Sequence, residues 1–274
     1  MSDVPMDTKS AVNYGEVIQA VYSQFANEPT ELNPSEIASL PSGYTLERTI
    51  QMKDFIVDPI EEEKFYGCLV KGGDPITQVI AIRGTLTYTE WWDNLHFLPV
   101  PFSRVEDGGN VAEGFYNIYN SLTTMNPANV DEPPSGLFDK IDPNVPVIVT
   151  GHSLGAALAT LLVTDMSANT ALKPQGWTFA SPKVGDTNFA AAYGRLTTVS
   201  WRIYNIPDIV PRVPVDPFDE YQHVNTGYPI NSKVKTRWSF GCYHSLSTYL
   251  NVLSDGAVPI RSECQPSATP ANPL

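Results

Sequence analysis

A serine framed by glycines joins two strongly patterned stretches of the chain. Val147 to Thr150 is β-branched and apolar, which predicts a buried strand, and Leu154 to Ala168 is rich in Ala and Leu, which predicts a helix. Gly151-His152-Ser153-Leu154-Gly155 lies between them. A nucleophile at a sharp strand-to-helix turn needs small neighbours two positions away on either side, and the helix directs its first amides at the reacting centre. The pattern predicts Ser153 as a nucleophile, with an ordinary helix-capping serine as the alternative.

A serine hydroxyl needs a base, and the sequence offers four histidines. His152 adjoins the nucleophile, and its side chain is expected to point away from the hydroxyl and to pack. In strand-turn-helix hydrolases the order along the chain is serine, acid, histidine, which excludes His96 and leaves His223 and His244. His244 precedes a predicted helix, Leu246 to Leu253, whereas His223 lies in a strand-like run. We therefore favour His244 as the base and keep His223 as the alternative.

The acid is expected just beyond the carboxyl end of a later core strand, where active sites of open sheets collect. Asp208 fits this position, because it follows the strand pattern that ends at Tyr204 and has apolar neighbours. A carboxylate among apolar groups needs a partner, since burying it alone costs several kcal/mol. Asp216, Asp219 and Glu220 lie in a more polar stretch and are expected to be solvated.

Strand and helix patterns alternate along the chain, which predicts an α/β fold with a central mixed, mostly parallel sheet flanked by helices. Helical spacing is found at 11–25, 111–122, 154–168, 188–196 and 246–253. Strand patterns are found at 44–57, 64–71, 77–82, 147–150, 177–180 and 199–204, and the second and third of these predict a hairpin. We expect one catalytic domain over residues 1–258, with 1–10 as a flexible start and the proline-rich residues 259–274 as a loosely attached tail.

Composition excludes several classes of protein. The 274 residues carry a formal net charge of -13, whereas nucleic-acid binding requires a basic footprint. No apolar run approaches the length of a membrane span, and residues 1–7 show no signal-peptide pattern. Three cysteines without Cys-x-x-Cys spacing predict neither a zinc site nor a disulfide scaffold, and Cys68 reads as a buried free thiol. We expect no metal and no cofactor.

Several motifs occur together in the order found in the class 3 lipases, the filamentous-fungal type of triacylglycerol lipase, and the chain resembles that family from about Ala11 to Leu253. The motifs are Ile82-Arg83-Gly84-Thr85, Glu90-Trp91-Trp92-Asp93-Asn94-Leu95, Glu113-Gly114-Phe115, Val149 to Ala156, Thr178 to Gly185, Pro207-Asp208-Ile209-Val210-Pro211 and Tyr243-His244. The resemblance implies an α/β-hydrolase-like fold and a triad of Ser153, Asp208 and His244. The implied fold and the implied triad both agree with the predictions made above from the residues alone.

The resemblance also implies features that spacing alone does not supply. The backbone N–H of Thr85 would join that of Leu154 in an oxyanion hole, although Thr85 also fits an ordinary strand-terminal turn. A short lid would run from about Leu86 to Leu95, with its apolar side chains facing a lipid pocket and an ordinary amphipathic surface helix as the alternative. Those side chains are Leu86, Tyr88, Trp91, Trp92 and Leu95.

The sequence therefore predicts a serine-dependent hydrolase of carboxylic esters, most simply a triacylglycerol lipase acting on neutral acylglycerol at an oil–water interface. A short-chain or aryl esterase of the feruloyl-esterase type and a phospholipase A1 are alternatives on the same machinery. A catalytically silent binding domain of hydrolase fold is the alternative from another class. The net negative charge predicts a preference for neutral over anionic lipid. The compartment is left open: cytoplasmic, exported without a leader, or extracellular after removal of one.

Overall fold

The computed structural model describes residues 5–53, 62–85, 97–215, 220–225 and 227–266. The helices within these residues are α1 Thr8–Asn27, α2 Glu113–Asn120, α3 Leu154–Asn169, α4 Thr187–Leu196, α5 Phe240–His244 and α6 Leu246–Leu253. The strands are β1 Tyr44–Lys53, β2 Glu63–Gly72, β3 Thr77–Ile82, β4 Pro99–Pro101, β5 Asn110–Ala112, β6 Thr123–Met125, β7 Val147–His152, β8 Gln175–Phe179, β9 Gly185–Asp186, β10 Ser200–Asn205, β11 Tyr221–Gln222 and β12 Gly227–Ile230.

A mixed sheet organises the described part of the chain, in the order β12-β10-β8-β7-β3-β2-β1-β6. β12, β10, β8, β7 and β3 are mutually parallel, and β2, β1 and β6 continue the sheet in antiparallel pairing. β7 pairs with β3 on one side and β8 on the other, so the turn that follows β7 lies in the middle of the sheet. The predicted α/β architecture and the β2-β3 hairpin are confirmed.

Apolar side chains cover both faces of this sheet. Successive side chains of a strand point to opposite faces, and both faces are buried here. Ile80 and Ile82 of β3 pack into a cluster with α2 and α3, whereas Val79 and Ala81 pack into a second cluster with α1 and α6. α3 is buried along nearly its whole length. The helix that follows the predicted nucleophile is therefore a central element of the core.

Both ends of the described chain are more ordered than the sequence predicts. Residues 8–10, expected in a flexible start, belong to α1, whose N-terminus is capped by the Asp7 carboxylate through the N–H groups of Lys9 and Ser10. Residues 259–266, expected in a loose tail, are held by a disulfide between Cys242 and Cys264. The proline content predicted a loose segment, but the covalent link and burial of Cys264 fix it.

A second sheet, in the order β11-β9-β5-β4, is a feature that the sequence did not predict. Its strands are only two or three residues long, which is below the length at which alternation can be recognised. Cys68 is buried and free, as expected. Among the described helices, none has the length and apolarity that crossing a membrane requires.

Candidate active site

Ser153 lies at the apex of the turn between β7 and α3. Its backbone has φ 59° and ψ −126°, a conformation that L residues rarely adopt outside strained turns. A Cβ on Gly151 would collide with the carbonyl of Gly155, and a Cβ on Gly155 would collide with the carbonyl of Ile82, so both positions require glycine. The Ser153 N–H donates to the Phe179 carbonyl at the end of β8, 3.0 Å away. The turn therefore holds a strained serine at the carboxyl edge of the sheet.

The Ser153 side chain is joined to a histidine and a carboxylate. Ser153 Oγ lies 2.8 Å from His244 Nε2, and His244 Nδ1 lies 2.8 Å from Asp208 Oδ2. Because a carboxylate accepts hydrogen bonds, Nδ1 carries the proton in this arrangement and Nε2 is left to accept the serine hydroxyl. All three residues are buried. The structure thus brings together the nucleophile, base and acid that the sequence predicts.

Asp208 follows β10 and accepts three hydrogen bonds. Besides His244, the Tyr249 hydroxyl donates to Oδ2 over 2.7 Å, and the Val210 N–H donates to Oδ1 over 3.0 Å. The loop thus supplies one partner of the buried carboxylate through Val210, and helices α5 and α6 supply the other two through His244 and Tyr249. These bonds fix the orientation of the carboxylate toward the imidazole.

His244 lies at the junction of two helices. It is the last residue of α5, and Ser245 separates it from α6. The buried Asn205 side chain at the end of β10 donates to the Tyr243 carbonyl, 2.8 Å away. The backbone N–H of Asn205 donates to the Tyr249 hydroxyl, 3.0 Å away. The imidazole is therefore attached to a rigid helix junction that is tied to the sheet.

His152 is buried beside the site and forms hydrogen bonds with groups other than the Ser153 hydroxyl, as predicted for a structural histidine. Its Nε2 lies 2.8 Å from the His244 carbonyl oxygen, and its Nδ1 lies 2.9 Å from the Tyr22 hydroxyl. The same hydroxyl accepts the Gly84 N–H, 2.8 Å away. Tyr22 then donates to Nδ1, and Nε2 donates to the carbonyl, which requires a neutral imidazole. Burial is the main cause that holds the pKa of His152 well below its usual value, and burial also raises the pKa of Tyr22 to about 12.

The predicted oxyanion donors lie beside Ser153. Thr85 follows β3, the neighbour of β7, and lines the same cleft of about 250 Å³ as Ser153 and His244. Leu154 is the first residue of α3, where a backbone N–H has no acceptor within the helix. A Cβ on Gly84 would come within 2.8 Å of the His152 carbonyl oxygen, so the Thr85 strand end approaches the turn closely because residue 84 is glycine. The cleft thus offers two backbone groups near the serine.

The structure also describes two other residues considered from the sequence, His223 and Glu220. His223, the alternative base, hydrogen-bonds to the Pro211 carbonyl through Nε2 at 2.6 Å, and burial, aided by Arg202, lowers its pKa to about 3. Glu220 is exposed, as expected for a solvated residue. The structure therefore brings His244 to Ser153 and gives His223 a packing role.

Some predicted residues lie outside the described part of the chain. These are Asp216 and Asp219, His96, and the lid residues Leu86, Tyr88, Trp91, Trp92 and Leu95. The lid stays a prediction. In the ranges that the structure does describe, no cluster of three His, Cys, Asp or Glu side chains could hold a metal ion.

One wall of the cleft comes from the segment that the sequence assigned to a loose tail. Arg261, Glu263 and Cys264 line the cleft together with Ser239 and Gly241 of the segment that enters α5. The disulfide joins Cys264 to Cys242, two residues before His244. The C-terminal segment is thereby held beside His244.

Three residues of the site were missed by sequence reasoning, namely Tyr22, Asn205 and Tyr249. Tyr22 lies in α1, 130 positions from His152, so no local pattern links them. Asn205 and Tyr249 do carry a weak signal, since Asn205 lies three residues before Asp208 and Tyr249 lies five residues after His244.

Comparisons with known proteins agree with this geometry. A family model described as Lipase (class 3) matches residues 79–218. Phospholipase A1-IIgamma of Arabidopsis thaliana is 29% identical over 200 residues, which are 63% of this chain and 47% of that protein. Phospholipase A1-II 7 of Oryza sativa subsp. indica is 25% identical over 279 residues, which are 78% of this chain and 69% of that protein. The chain spans about half the length of the first of these relatives.

Solved structures share the fold. A lipase from Rhizopus microsporus var. chinensis has a TM-score of 0.61 at 23% identity, over 81% of this chain and 74% of that one. Lipase II from Rhizopus niveus has a TM-score of 0.63 at 21% identity, over 81% of this chain and 80% of that one. At this identity the likeness establishes the fold alone. The family model covers more than half of the chain, and the chain therefore belongs to the class 3 lipase family.

Proposed function

We propose that the protein is a serine-dependent hydrolase of carboxylic esters that acts on acyl lipids through an acyl-enzyme intermediate. The observation that carries this proposal is the unbroken hydrogen-bond relay from Ser153 through His244 to Asp208, with 2.8 Å at each step. A serine hydroxyl in such a relay becomes a nucleophile because the histidine accepts its proton as the new bond forms. The relay requires no metal or cofactor.

In the first half of the reaction, Ser153 Oγ attacks the ester carbonyl carbon and its proton passes to His244 Nε2. Asp208 stabilises the resulting imidazolium through Nδ1. The N–H groups of Leu154 and Thr85 donate to the oxyanion that forms on the carbonyl oxygen. Loss of one such donor typically costs about 3 to 4 kcal/mol of transition-state stabilisation. Collapse of the tetrahedral intermediate breaks the ester C–O bond, and the leaving alcohol takes the proton from His244.

In the second half, water attacks the acyl carbon of the acyl-enzyme. His244 Nε2 accepts one proton of the water and then gives it to Ser153 Oγ as that oxygen leaves. The products are a fatty acid and the free enzyme. The short, buried relay supports this use of one histidine first as a base and then as an acid.

Triacylglycerol is the first substrate that we propose, and a phospholipid cleaved as by a phospholipase A1 is the second. Family membership supports a lipid ester in either case. The second candidate has support of its own, because the curated relatives with extensive similarity carry the name phospholipase A1. Arg261 in the wall of the cleft supports it further, since a guanidinium suits a phosphate group.

The proposal is tested by Ser153→Ala, with Ser167→Ala in the helix that follows, α3, as a matched control. Ser167 is buried in α3 far from the cleft, and its hydroxyl has no partner in the structure. We expect Ser153→Ala to lose at least a thousandfold of ester hydrolysis and to fail to react with a fluorophosphonate probe. Ser167→Ala should keep both. Retention of more than about a hundredth of the activity by Ser153→Ala would contradict the proposal.

Substrate class is tested by comparing initial rates on emulsified triacylglycerol, phosphatidylcholine vesicles and a soluble short-chain ester. Faster release of fatty acid from triacylglycerol supports the lipase, and release of the sn-1 fatty acid from phosphatidylcholine supports the phospholipase. Activity confined to the soluble ester, without a gain at any lipid surface, would contradict both and support an esterase.

The Cys242–Cys264 disulfide bears on the compartment. Structural disulfides persist in oxidising surroundings and are rare where glutathione keeps thiols reduced. We therefore extend the proposal to an oxidising compartment. Thiol titration of the protein purified from its native source under alkylating conditions tests it, and three reactive thiols per denatured chain would contradict it.

A further inference from the structure

The segment that leads into α5 exposes an unusual combination of side chains. Residues 233–240 contain three basic residues, Lys233, Lys235 and Arg237, and three large apolar ones, Val234, Trp238 and Phe240. The apolar side chains are exposed by 90%, 74% and 51%, respectively. The rings of Trp238 and Phe240 lie against each other with centroids 5.7 Å apart. Single exposed apolar residues are common, but a contiguous patch of them marks an interaction site.

This patch adjoins the opening of the active-site cleft. Ser239, between the two aromatic residues, and Gly241, just after them, line the cleft of Ser153. Arg261 lines the same cleft from the C-terminal segment. A surface that binds this patch would thus lie at the cleft opening.

The patch is held rigidly. The Arg237 N–H and the Thr236 hydroxyl both donate to the Cys264 carbonyl oxygen, over 2.9 Å and 2.7 Å. The Cys264 side chain is bonded to Cys242 beyond the patch. Two hydrogen bonds and a disulfide therefore fix the backbone on both sides of the aromatic pair. A preorganised patch loses little conformational freedom when it binds.

The charge of this region differs in sign from that of the rest of the chain. Residues 227–266 contain four basic and two acidic residues, although the whole chain carries -13. Lys235 lies 3.3 Å from the exposed Asp255. Arg237 and Arg261 have no such ion pair among the described residues. Charges more than about 8 Å away are largely screened at physiological ionic strength. A partner at the patch would therefore meet a positive surface, and the preference for neutral lipid drawn from net charge does not extend to it.

We propose that Arg237, Trp238, Phe240 and Arg261 dock the protein on the surface of a bilayer that contains anionic phospholipid, with the cleft facing the lipid. This deepens the proposed function, on which it rests for the identity of the substrate. Tryptophan favours the level of the headgroups, phenylalanine enters the acyl boundary, and arginines bind the phosphates. Each basic residue near an anionic bilayer strengthens binding about fivefold.

The test uses the Ser153→Ala protein, because it leaves vesicles intact. Its binding to vesicles of phosphatidylcholine alone and of phosphatidylcholine mixed with phosphatidylglycerol is measured by cosedimentation. We expect at least tenfold tighter binding to the mixed vesicles, with a steep loss as salt is raised. Equal affinity for the two kinds of vesicle would overturn the anionic part of the proposal.

Two sets of variants in the same background separate the contributions. Trp238→Ala with Phe240→Ala should weaken binding to both vesicles by tenfold or more, and Arg237→Gln with Arg261→Gln should abolish the preference for phosphatidylglycerol. The controls are Val130→Ala, which removes a 75% exposed apolar side chain outside the cleft, and Arg195→Gln at the end of α4. Equal losses in the controls, or none in the patch variants, would overturn the proposal. Melting curves establish that each variant is folded.

A spectroscopic readout locates the contact directly. The chain has five tryptophans, so the blue shift of fluorescence on vesicle binding is compared between Ser153→Ala and Ser153→Ala with Trp238→Phe. We expect the shift to be lost in the second protein. Vesicle binding with no ester hydrolysis by the wild type would contradict the proposed function alone, and hydrolysis without vesicle binding would contradict the docking alone.

Discussion

Near each end of α3, a buried aspartate lies beside a tyrosine hydroxyl, and of these two aspartates Asp208 is the one that is joined through a histidine to a serine. At the N-terminal end, Asp208 accepts the Tyr249 hydroxyl at 2.7 Å and the His244 imidazole at 2.8 Å. Near the C-terminal end, Asp165 accepts the Tyr119 hydroxyl at 2.6 Å and the Asn169 amide at 2.7 Å. Asp165 lies 12 positions after Ser153, which corresponds to about 18 Å along the helix. Burial and a tyrosine partner therefore do not distinguish a catalytic acid from a structural one.

The difference lies in the third partner and in the helix dipole. Asp208 meets a histidine that reaches a serine at the positive end of α3, whereas Asp165 lies near the negative end, where a carboxylate is unfavourable without cationic or donor partners. Arg104, 3.5 Å from Asp165, and Asn169 supply them. Both carboxylates are buried and hydrogen-bonded, but the one at the N-terminal end of α3 orients the proposed base and the one at the C-terminal end stabilises the helix.

The largest effect is expected from replacing each aspartate by asparagine. Asp208→Asn should lower kcat about 10³- to 10⁴-fold, because the amide cannot hold the imidazole in the tautomer that accepts the serine proton. Asp165→Asn should leave kcat within a factor of about two and lower the free energy of unfolding by about 1 to 3 kcal/mol. Steady-state kinetics on a soluble ester and urea unfolding measure the two quantities. A large kcat loss in Asp165→Asn would contradict the contrast.

The next effect compares glycines at the two ends. A Cβ on Gly84 would come within 2.7 Å of the Tyr22 hydroxyl and 2.8 Å of the His152 carbonyl oxygen, whereas a Cβ on Gly136, in a loop near Asp165, would meet nothing within 4 Å. Gly84→Ala should displace the adjacent Thr85 donor and lower kcat about 10- to 100-fold. Gly136→Ala should keep wild-type kinetics. Full activity of Gly84→Ala would remove Thr85 from the proposed oxyanion hole.

A smaller effect is expected from removing the tyrosine hydroxyls. Tyr249→Phe should lower kcat about three- to tenfold, since Asp208 keeps the bonds from Val210 and His244. Tyr119→Phe should cost about 1 to 3 kcal/mol of stability with kcat unchanged. Burial, with Asp165, raises the pKa of Tyr119 well above its usual value, so its hydroxyl stays a donor over the whole working range of pH.

The roles of the Tyr249 and Tyr119 hydroxyls can be compared further. If Tyr249→Phe lost only stability, the Tyr249 hydroxyl would be a packing group like that of Tyr119 and would not position the acid. A pH profile of kcat for Tyr249→Phe discriminates, because a positioning role shifts the acid limb and a packing role does not move it.

The smallest expected effect is a pH dependence of the free energy of unfolding, which we attribute mainly to His152 at the active-site end of α3. The folded pKa of His152 lies well below 6.5, so between the two values the unfolded chain binds more protons than the folded one. Stability is therefore lost as pH falls below about 6.5, the ordinary pKa of histidine. Melting temperatures from pH 7.5 to 4.5 should show a shallower decline in His152→Gln, which keeps a donor and an acceptor.

His223 must be controlled for in that experiment, because its pKa of about 3 gives a decline of the same sign. His223→Gln isolates its share. An unchanged profile in both variants would show that neither neutral histidine governs acid stability.

The catalytic part of the site could be predicted from sequence because its members lie at strand ends in apolar surroundings. Ser153 has glycines on both sides, Asp208 follows a strand, and His244 precedes a helix, so each has a local pattern. The parallel sheet was predictable for a similar reason, because β7 begins with the apolar run Val147-Ile148-Val149 and β8 ends with Trp177-Thr178-Phe179, which is rich in strand-forming residues.

The supporting contacts could not be predicted, because they join distant positions on the basis of geometry alone. Tyr22 reaches His152 across 130 residues, and the Asn205 side chain bonds to the backbone of Tyr243. The pairing of Cys242 with Cys264 was also open, since three cysteines allow more than one choice. The exposed aromatic pair at Trp238 and Phe240 carried no pattern because exposure depends on the completed fold.

The hydroxyl of Tyr22 has a consequence for where this protein can be divided. The residues that match the family model, 79–218, contain Ser153 and Asp208 but neither Tyr22 nor His244. A fragment cut to those limits would lack its base and would leave the Gly84 N–H and the His152 ring without their shared partner. Any shortened version made for expression or crystallisation therefore has to retain both α1 and the segment through Cys264.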